Sequence, residues 1–314
     1  MVQNKKRFRF DFQVEIIAAD HETGCFQIVL LPDPRRYEDV IIEGQAYLYD
    51  KFDNFLLPKE KFLREVVKHL ENQPLLSAPK IIRNIEEYTK ARLKPMRDFI
   101  LGKVENYEFQ DKSEELLNSL SSDKLQFVIL SIDIVGSTKL SQQLSEEENA
   151  QVITLFLREV ANIVSAFGGF VLKYLGDGLL AYFPEPNFIG VNDNAIDCAT
   201  CIKYFIVAGL NMVLKEQRLP ALHFRMGLDS GAALIRVIGT PAAKMHKDLV
   251  GETVNIAVKI QSLAGKDQIF LGDVTARNVH VIWRQIIEEV EIPAGWVYKD
   301  RETGKPYPIH RVKY

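Results

Sequence analysis

Apolar and polar residues alternate strictly at the start of the chain. Phe8, Phe10, Phe12, Val14 and Ile16 are apolar, while Arg7, Arg9, Asp11, Gln13 and Glu15 are polar. A period of two predicts a half-buried strand there. Residues 21–24 have turn composition, 25–31 read as a second strand, and 39–49 as a third, ending in a turn at 50–54. The period then changes: Phe62, Leu63, Val66, Val67 and Leu70 mark a helix, with Pro58 near its first turn. Residues 1–80 are expected to form a small β-rich unit, closed by a helix and suited to regulation or dimerisation.

Residues 81–120 are charged and helix-prone, with Pro95 as an interruption, and read as a helical connector. Such a segment is either a solvated linker or a helix that transmits state between its neighbours. From 125 the pattern gives a buried strand to Ile134, a capping-box signal at Ser145–Glu148, and a helix carrying Val152, Phe156, Val160, Ile163 and Phe167. Strands at 170–174 and 179–183 flank a tight Leu175-Gly176-Asp177-Gly178 turn. A long helix over 191–217, strands at 223–228 and 233–237, a helix over 253–264, a strand at 269–271 and short tail strands follow. The order is β-α-β-β-α-β, an α+β ferredoxin-like arrangement that places the end of the first strand beside the tip of the central hairpin. Residues 121–314 are assigned to this second domain.

Composition narrows the class. In 314 residues, 47% are hydrophobic and 26% charged, enough for a core and unlike a disordered chain. A net charge of −3 argues against a broad basic face for nucleic acid. Three cysteines, Cys25, Cys198 and Cys201, do not make a disulfide framework, and reduced cytoplasmic thiols fit better. Cys198 and Cys201 form a C-x-x-C that reads as buried helix residues, because no further pair of ligands accompanies it. The basic clusters Lys5-Lys6-Arg7 and Arg35-Arg36 read as solvated. No apolar run follows the basic start of the chain, and the most apolar stretch, 195–214, carries Asp197 and Lys203. It reads as a buried helix, so no membrane insertion is expected.

Two carboxylates carry the chemistry. The expected topology brings Asp133, at a strand end, next to Asp177, at a hairpin tip between Gly176 and Gly178. Gly136, Ser137 and Thr138 precede a helix, and their backbone N–H groups suit phosphate oxygens. Paired carboxylates beside a phosphate loop suit Mg²⁺ or Mn²⁺, and two such ions suit phosphoryl chemistry.

At this point the sequence resembles a known family. The segments SIDIVGST (131–138), GGFVLKYLGDG (168–178), RMGLDSG (225–231) and GETVNIA (251–257) resemble the signatures of class III nucleotidyl cyclases. The resemblance implies conversion of a nucleoside triphosphate to its 3′,5′-cyclic monophosphate and pyrophosphate. It implies a homodimer with two sites, each built from both subunits. It also implies roles: Asp133, Asp177 and the carbonyl of Ile134 as ligands of two Mg²⁺ or Mn²⁺ ions, and Lys173 and Asp248, from the facing subunit, as readers of the base. Asn255 would orient the ribose, and Lys259 stands where the family has a transition-state arginine. Asn255 and Lys259 are i,i+4 and share a helix face.

Lysine only donates hydrogen bonds and an ionised aspartate only accepts. The pair matches an acceptor ring nitrogen beside an amino donor, as in adenine and cytosine. ATP is therefore favoured, CTP is chemically allowed, and GTP is disfavoured. Bacterial relatives in the resembled family include pyrimidine cyclases of antiphage signalling, so a cytidylate or uridylate cyclase is the alternative. A degenerate cyclase fold that senses nucleotides is another. The sequence departs from the family at Ser131, Asp229 and Arg236, where phenylalanine, histidine and glycine are common, and at Tyr174, where a smaller residue is common. The phosphate-binding lysine near the C-terminus has no clean counterpart, with Lys299 and Lys305 as candidates.

Overall fold

In the computed structural model, residues 9–20, 25–71, 82–103, 112–120, 124–184, 188–301 and 303–313 are described. The basic cluster at 5–7 and the first apolar position, Phe8, lie outside them. The chain forms two units. One comprises Met1–Leu76 and Asn278–Ile286, the other Ser77–Arg277 and Ile287–Tyr314.

The first unit contains a two-stranded hairpin, β1 (Phe12–Asp20) with β2 (Cys25–Pro32). It also contains a meander of β3 (Tyr37–Ile42), β4 (Gln45–Asp50) and β5 (Phe55–Pro58), followed by α1 (Lys59–Glu71). The single strand expected over 39–49 is thus a hairpin. Glu43 and Gly44 turn it with positive φ at both positions, 50° and 80°, a left-handed pair that hydrophobic periodicity does not report. α1 buries Phe62 and Val66, one turn apart, against Tyr37, Leu48 and Leu57. Each such side chain contributes about 1.5–3 kcal/mol of burial. Phe62 meets Phe10 and Tyr37 edge-on at 5.5 and 5.2 Å.

The alternation at the start of the chain misleads in one respect. Arg9 and Asp11, expected in water, are buried, and so is Arg36. Arg36 donates to Asp50 (2.8 Å), Asp11 (2.9 Å) and Asp53 (2.8 Å). Arg9 bonds Asp11 at 2.7 Å and the carbonyl of Asn278 at 3.0 Å. Arg284, on α10 (Val281–Arg284), bonds Asp53 at 3.0 Å and lies over the Phe52 ring at 4.7 Å. Opposite charges drawn from distant segments let one another leave water, which a period-two pattern cannot register. Arg35, by contrast, is partly exposed and pairs with Asp33.

The second unit is built on a sheet ordered β12-β13-β11-β9-β6-β8-β7. Its centre is β6 (Lys124–Ile134), β7 (Phe170–Tyr174), β8 (Gly178–Pro184) and β9 (Phe224–Gly239). Read in sequence order these four give the ferredoxin-like order 4-1-3-2, as expected. The two strands expected at 223–228 and 233–237 are one strand of 16 residues, because Asp229, Ser230 and Gly231 continue the ladder against β6. β9 runs on into a hairpin with β10 (Met245–Val250), which carries Asp248.

Alternation along the strands sets two layers. Phe127 and Ile129 of β6, with Leu180 and Tyr182 of β8, pack with Leu249 of β10, Ala257 of α8 (Glu252–Leu263) and Leu117 of α3 (Lys112–Ser119). Helices α5 (Glu146–Ala166) and α6 (Phe188–Phe205) pack on the same sheet, and α2 (Ile85–Ile100) packs on both. α5 starts with the expected capping box, Ser145 and Glu148 bonding reciprocally. The long helix expected over 191–217 is continuous through a π-helical segment, Ile206–Leu210, into α7 (Asn211–Glu216). Gly190–Glu216 is long and apolar enough to cross a membrane; here Ala195, Ile196, Ile202, Phe205, Ile206, Leu210 and Val213 are buried in the unit.

The expected connector is not a solvated linker. α2 runs through Pro95 and buries Thr89 and Met96. Arg92 forks onto Glu159 of α5 at 2.9 and 2.6 Å, and that glutamate is fully buried. Arg97 forks onto Glu216 of α7. After β11 (Gln268–Gly272), the expected run of strands is α9 (Asp273–Asn278) and α10 before β12 (Ile287–Val290) and β13 (Ile309–Val312).

Candidate active site

Asp133 is the penultimate residue of β6, and its ladder partner on β8 is Gly178, next to Asp177. A Cβ on Gly178 would collide with the carbonyl of Ile132 and lie 2.8 Å from Cβ of Asp133. Glycine at 178 therefore lets the hairpin tip close onto the strand end. On the other side of β6, Arg225 of β9 forks onto Asp133, Nε to Oδ1 at 2.8 Å and Nη2 to Oδ2 at 2.9 Å. That pairing raises the guanidinium pKa, and the charge of Asp177 adds to it. Both carboxylates thus act on one cation, the Arg225 guanidinium. Both are half-buried.

The ladder also orients the backbone. Val135 N–H bonds the carbonyl of His223 on the β9 side at 2.7 Å. Neighbouring residues of a strand point their N–H and C=O to opposite sides, so those of Ile134 face the β8 side. β8 ends its pairing one residue earlier, at Gly178 opposite Asp133. The Ile134 carbonyl is thereby directed past the last rung, toward the hairpin tip. Gly136 then takes φ 75° and starts α4 (Ser137–Gln143), with no side chain capping that end. The backbone around Ser137 and Thr138 follows directly from the strand that ends in Asp133 and Ile134.

A second polar group forms elsewhere on the unit. Lys173 Nζ donates to Asp248 Oδ2 at 2.5 Å, although 75 residues separate them. Asp248 also accepts from the N–H of Leu249 at 2.8 Å, which fixes the carboxylate. It lies on a strand rather than in a loop, and its side chain is 13% exposed against 39% for Lys173. His246, two residues away on β10, stands 3.9 Å from the same carboxylate oxygen. Among the described residues no hydrogen bond or ion pair joins the Lys173–Asp248 pair to Asp133, Asp177 or Arg225.

α8 supplies the third element. Asn255 and Lys259 lie on its exposed face, while Ile256, Ala257 and Ile260 are buried. The helix lies close on β9, because a Cβ on Gly227 would collide with the carbonyl of Ala257 and the N–H of Gln261. Gly227→Ala is expected to force α8 outward and to cost about 1–3 kcal/mol of stability. A urea melt of the variant checks this, and an unchanged midpoint would mean that the helix can shift freely.

The profile of the adenylate and guanylate cyclase catalytic domain matches residues 121–294. The chain belongs to that family. Over 244 residues it is 27% identical to the cytidylate cyclase of Escherichia coli, covering 75% of this chain and 49% of that one. It is 27% identical over 147 residues to an adenylate cyclase of Streptomyces coelicolor, covering 47% and 32%. The chain thus spans about half or less of the length of these relatives. In fold it is similar to the guanylyl cyclase Cya2, with TM-score 0.51, 22% identity and 62% of this chain covered (94% of that one). It is also similar to a bacterial light-regulated adenylyl cyclase, with TM-score 0.52, 18% identity, 77% of this chain and 66% of that one.

Within this cyclase domain, Arg225 stands in a motif that does not by itself reveal its partner. Its position opposite Asp133 in the β6–β9 ladder is what puts it in the site. Lys299 and Lys305 are exposed on a hairpin where Lys299 bridges to Pro306. Cys198 and Cys201 are unpaired and buried; burial pushes the Cys201 thiol up to about 12 and raises that of Cys198 well above the usual range, so neither is a thiolate at neutral pH.

Proposed function

We propose that the chain converts a nucleoside triphosphate bearing an amino-substituted base, ATP or CTP, to its 3′,5′-cyclic monophosphate with release of pyrophosphate. The observation that carries this reading is the Lys173–Asp248 pair, which presents an ammonium donor beside a carboxylate acceptor. Adenine and cytosine offer the complementary acceptor ring nitrogen and amino donor on one edge, whereas guanine and uracil carry there a carbonyl acceptor beside a ring N–H donor.

The ribose 3′ oxygen attacks the α-phosphorus, its proton leaves, and the bond to the bridging oxygen of pyrophosphate breaks. Asp133, Asp177 and the carbonyl of Ile134 are the residues that would hold Mg²⁺ or Mn²⁺. Among the described residues no group of three or more His, Cys, Asp or Glu side chains is arranged for a metal. Two carboxylates that already share one cation, with room for phosphate oxygens, nevertheless match ions that take most ligands from substrate and water. Such ions, when bound, lower the pKa of the attacking hydroxyl and offset charge on the phosphates. Arg225 holds Asp133 in place and supplies further positive charge next to the phosphates. The backbone of Gly136, Ser137 and Thr138 faces phosphate oxygens at the start of α4. Asn255 places the ribose, and Lys259 offsets charge in the transition state without the bidentate fork of arginine.

Among the described residues, the lack of polar contact between the Lys173–Asp248 pair and the two carboxylates supports a site completed across a homodimer. Asp133 and Asp177 come from one subunit, and Lys173, Asp248, Asn255 and Lys259 from the other.

One observation favours cytosine as the base. The match to the Escherichia coli cytidylate cyclase covers three quarters of this chain, well beyond the span of the catalytic profile. That to the Streptomyces coelicolor adenylate cyclase covers under half. Incubation with each of the four triphosphates and Mn²⁺, with product identified by mass, decides among them. cAMP or cCMP is expected as the main product. Predominant cGMP or cUMP would contradict the role given to Lys173 and Asp248, and no cyclic product would leave a nucleotide-sensing module.

A further inference from the structure

Asp229 is buried in the middle of β9 and takes no part in the chemistry above. Alternation puts Arg225, Gly227, Asp229 and Gly231 on one face of that strand, and α8 lies along this face. Arg225 reaches the carbonyl of Ser262 near the end of the helix, and Gly231 lies 3.1 Å (measured from an added Cβ) from Thr253 near its start. Two glycines leave no side chain as a spacer between strand and helix. Between them Asp229 provides a polar anchor: its Oδ2 accepts from Thr253 Oγ1 at 3.0 Å. Thr253 stands on the buried side of α8, two residues before the exposed Asn255.

The other carboxylate oxygen holds a second element. Oδ1 accepts from the Tyr307 hydroxyl at 2.7 Å, and that hydroxyl accepts the N–H of Val274 at 2.9 Å. Tyr307 leads into β13 and closes the hairpin that carries Lys299 and Lys305. A side chain at residue 272 would collide with Oδ1, so Gly272 leaves space for the carboxylate.

We propose that Asp229 is a positioning residue, which through Thr253 sets the roll and register of α8 and so places Asn255 and Lys259, and through Tyr307 locks the C-terminal hairpin to the same point. This deepens, and rests on, the cyclase reading. The geometry makes the effect large. A side-chain tip lies about 6 Å from a helix axis, so a roll of about 20° moves it by roughly 2 Å. A misplacement of about 1 Å at a reacting centre costs on the order of a hundredfold in rate.

The carboxylate also reports on its own anchoring. Burial raises its pKa to about 7, against the opposing donation from Tyr307, Thr253 and the N–H of Ser230. Asp273 on α9 adds a like charge, and is itself paired with Arg277 and His310. Among the described residues Glu252 of α8 turns away to Arg301, and the neighbouring Ile129 and Leu271 are apolar. A carboxyl whose folded pKa is raised favours the docked form most below its ordinary value of 3.8, and that contribution is lost as pH rises through about 7. Docking of α8 is therefore expected to loosen as pH rises through neutrality.

The test uses the full chain and two readouts. For turnover, Thr253→Val is expected to lower kcat about 10- to 100-fold with KM changed less than about threefold, while Thr253→Ser restores the wild-type rate. Full kcat in Thr253→Val, or equal loss in the serine variant, would overturn the positioning role. The second readout needs no turnover: hydrogen-exchange protection of residues 252–263 at pH 6 and pH 8, corrected for intrinsic rates. Protection is expected to fall at the higher pH in the wild type and to be independent of pH in Asp229→Asn, with His310→Gln behaving as the wild type. The same pH response in Asp229→Asn as in the wild type would overturn the inference. Absence of any cyclic product from the wild type would overturn the cyclase reading instead, leaving exchange to decide the role of Asp229.

Discussion

Asp133→Asn is expected to lower turnover about a thousandfold, or roughly 4 kcal/mol of transition-state stabilisation, while the chain stays folded. The carboxamide keeps the size of the side chain but loses the charge that a divalent ion requires. Arg225 loses its partner, yet its side chain is 34% exposed and water can solvate it. Stability should therefore move little, and a melting curve separates lost chemistry from lost fold. The same variant tests how the site is assembled. Lys173→Ala is expected to be impaired on its own, through the base. When the two impaired chains are mixed and allowed to exchange, half of the dimers are hybrids, and each hybrid has one intact site. Activity should return to about a quarter of the wild type. No recovery on mixing, with exchange verified, would place both groups in one subunit's site.

The second large effect lies in the other unit. Arg36→Met is expected to cost about 3–5 kcal/mol, because Asp50 remains buried without its cation and Asp11 is left with Arg9. The Arg36 side chain is 1% exposed and its three carboxylates come from two segments, Asp11 from one and Asp50 and Asp53 from the other. Arg64→Met provides the contrast: that side chain is 73% exposed and its partner Glu60 85%, and the change should stay within about 1 kcal/mol. Urea unfolding followed by circular dichroism compares the two. Similar midpoints would mean that the buried cluster tolerates the loss of its centre.

These expectations draw unequally on sequence and structure. Helix α5 is legible in the sequence because its signals are local: an N-terminal capping box and an apolar stripe of period 3.6. The hairpin carrying Asp177 is legible because its glycines punctuate two apolar strands. β10 is missed because its residues are mixed and half exposed, and its partner strand continues past the point where an Asp-Ser-Gly run suggests a break. The hairpin of β3 and β4 is missed because positive φ at Glu43 leaves no mark on hydropathy. Pro95 reads as a helix breaker, but packing of Met96 and Thr89 and two arginine forks hold α2 together through it.

The sequence by itself determined the β-α-β-β-α-β order at the core of the second unit, the glycines that punctuate it, and the residue types suited to phosphate, metal and base. Each of these is a property of neighbours along the chain. The tertiary structure alone decided which charges meet. Arg225 and Asp133 are 92 residues apart, Asp229 and Tyr307 are 78, and Arg9 and Asn278 are 269. The tertiary fold brings them together, and where the groups are buried, as at Arg9, Asp229 and Tyr307, the pairing is obligatory, since a charge or hydroxyl left alone in the interior costs more than the contact itself contributes.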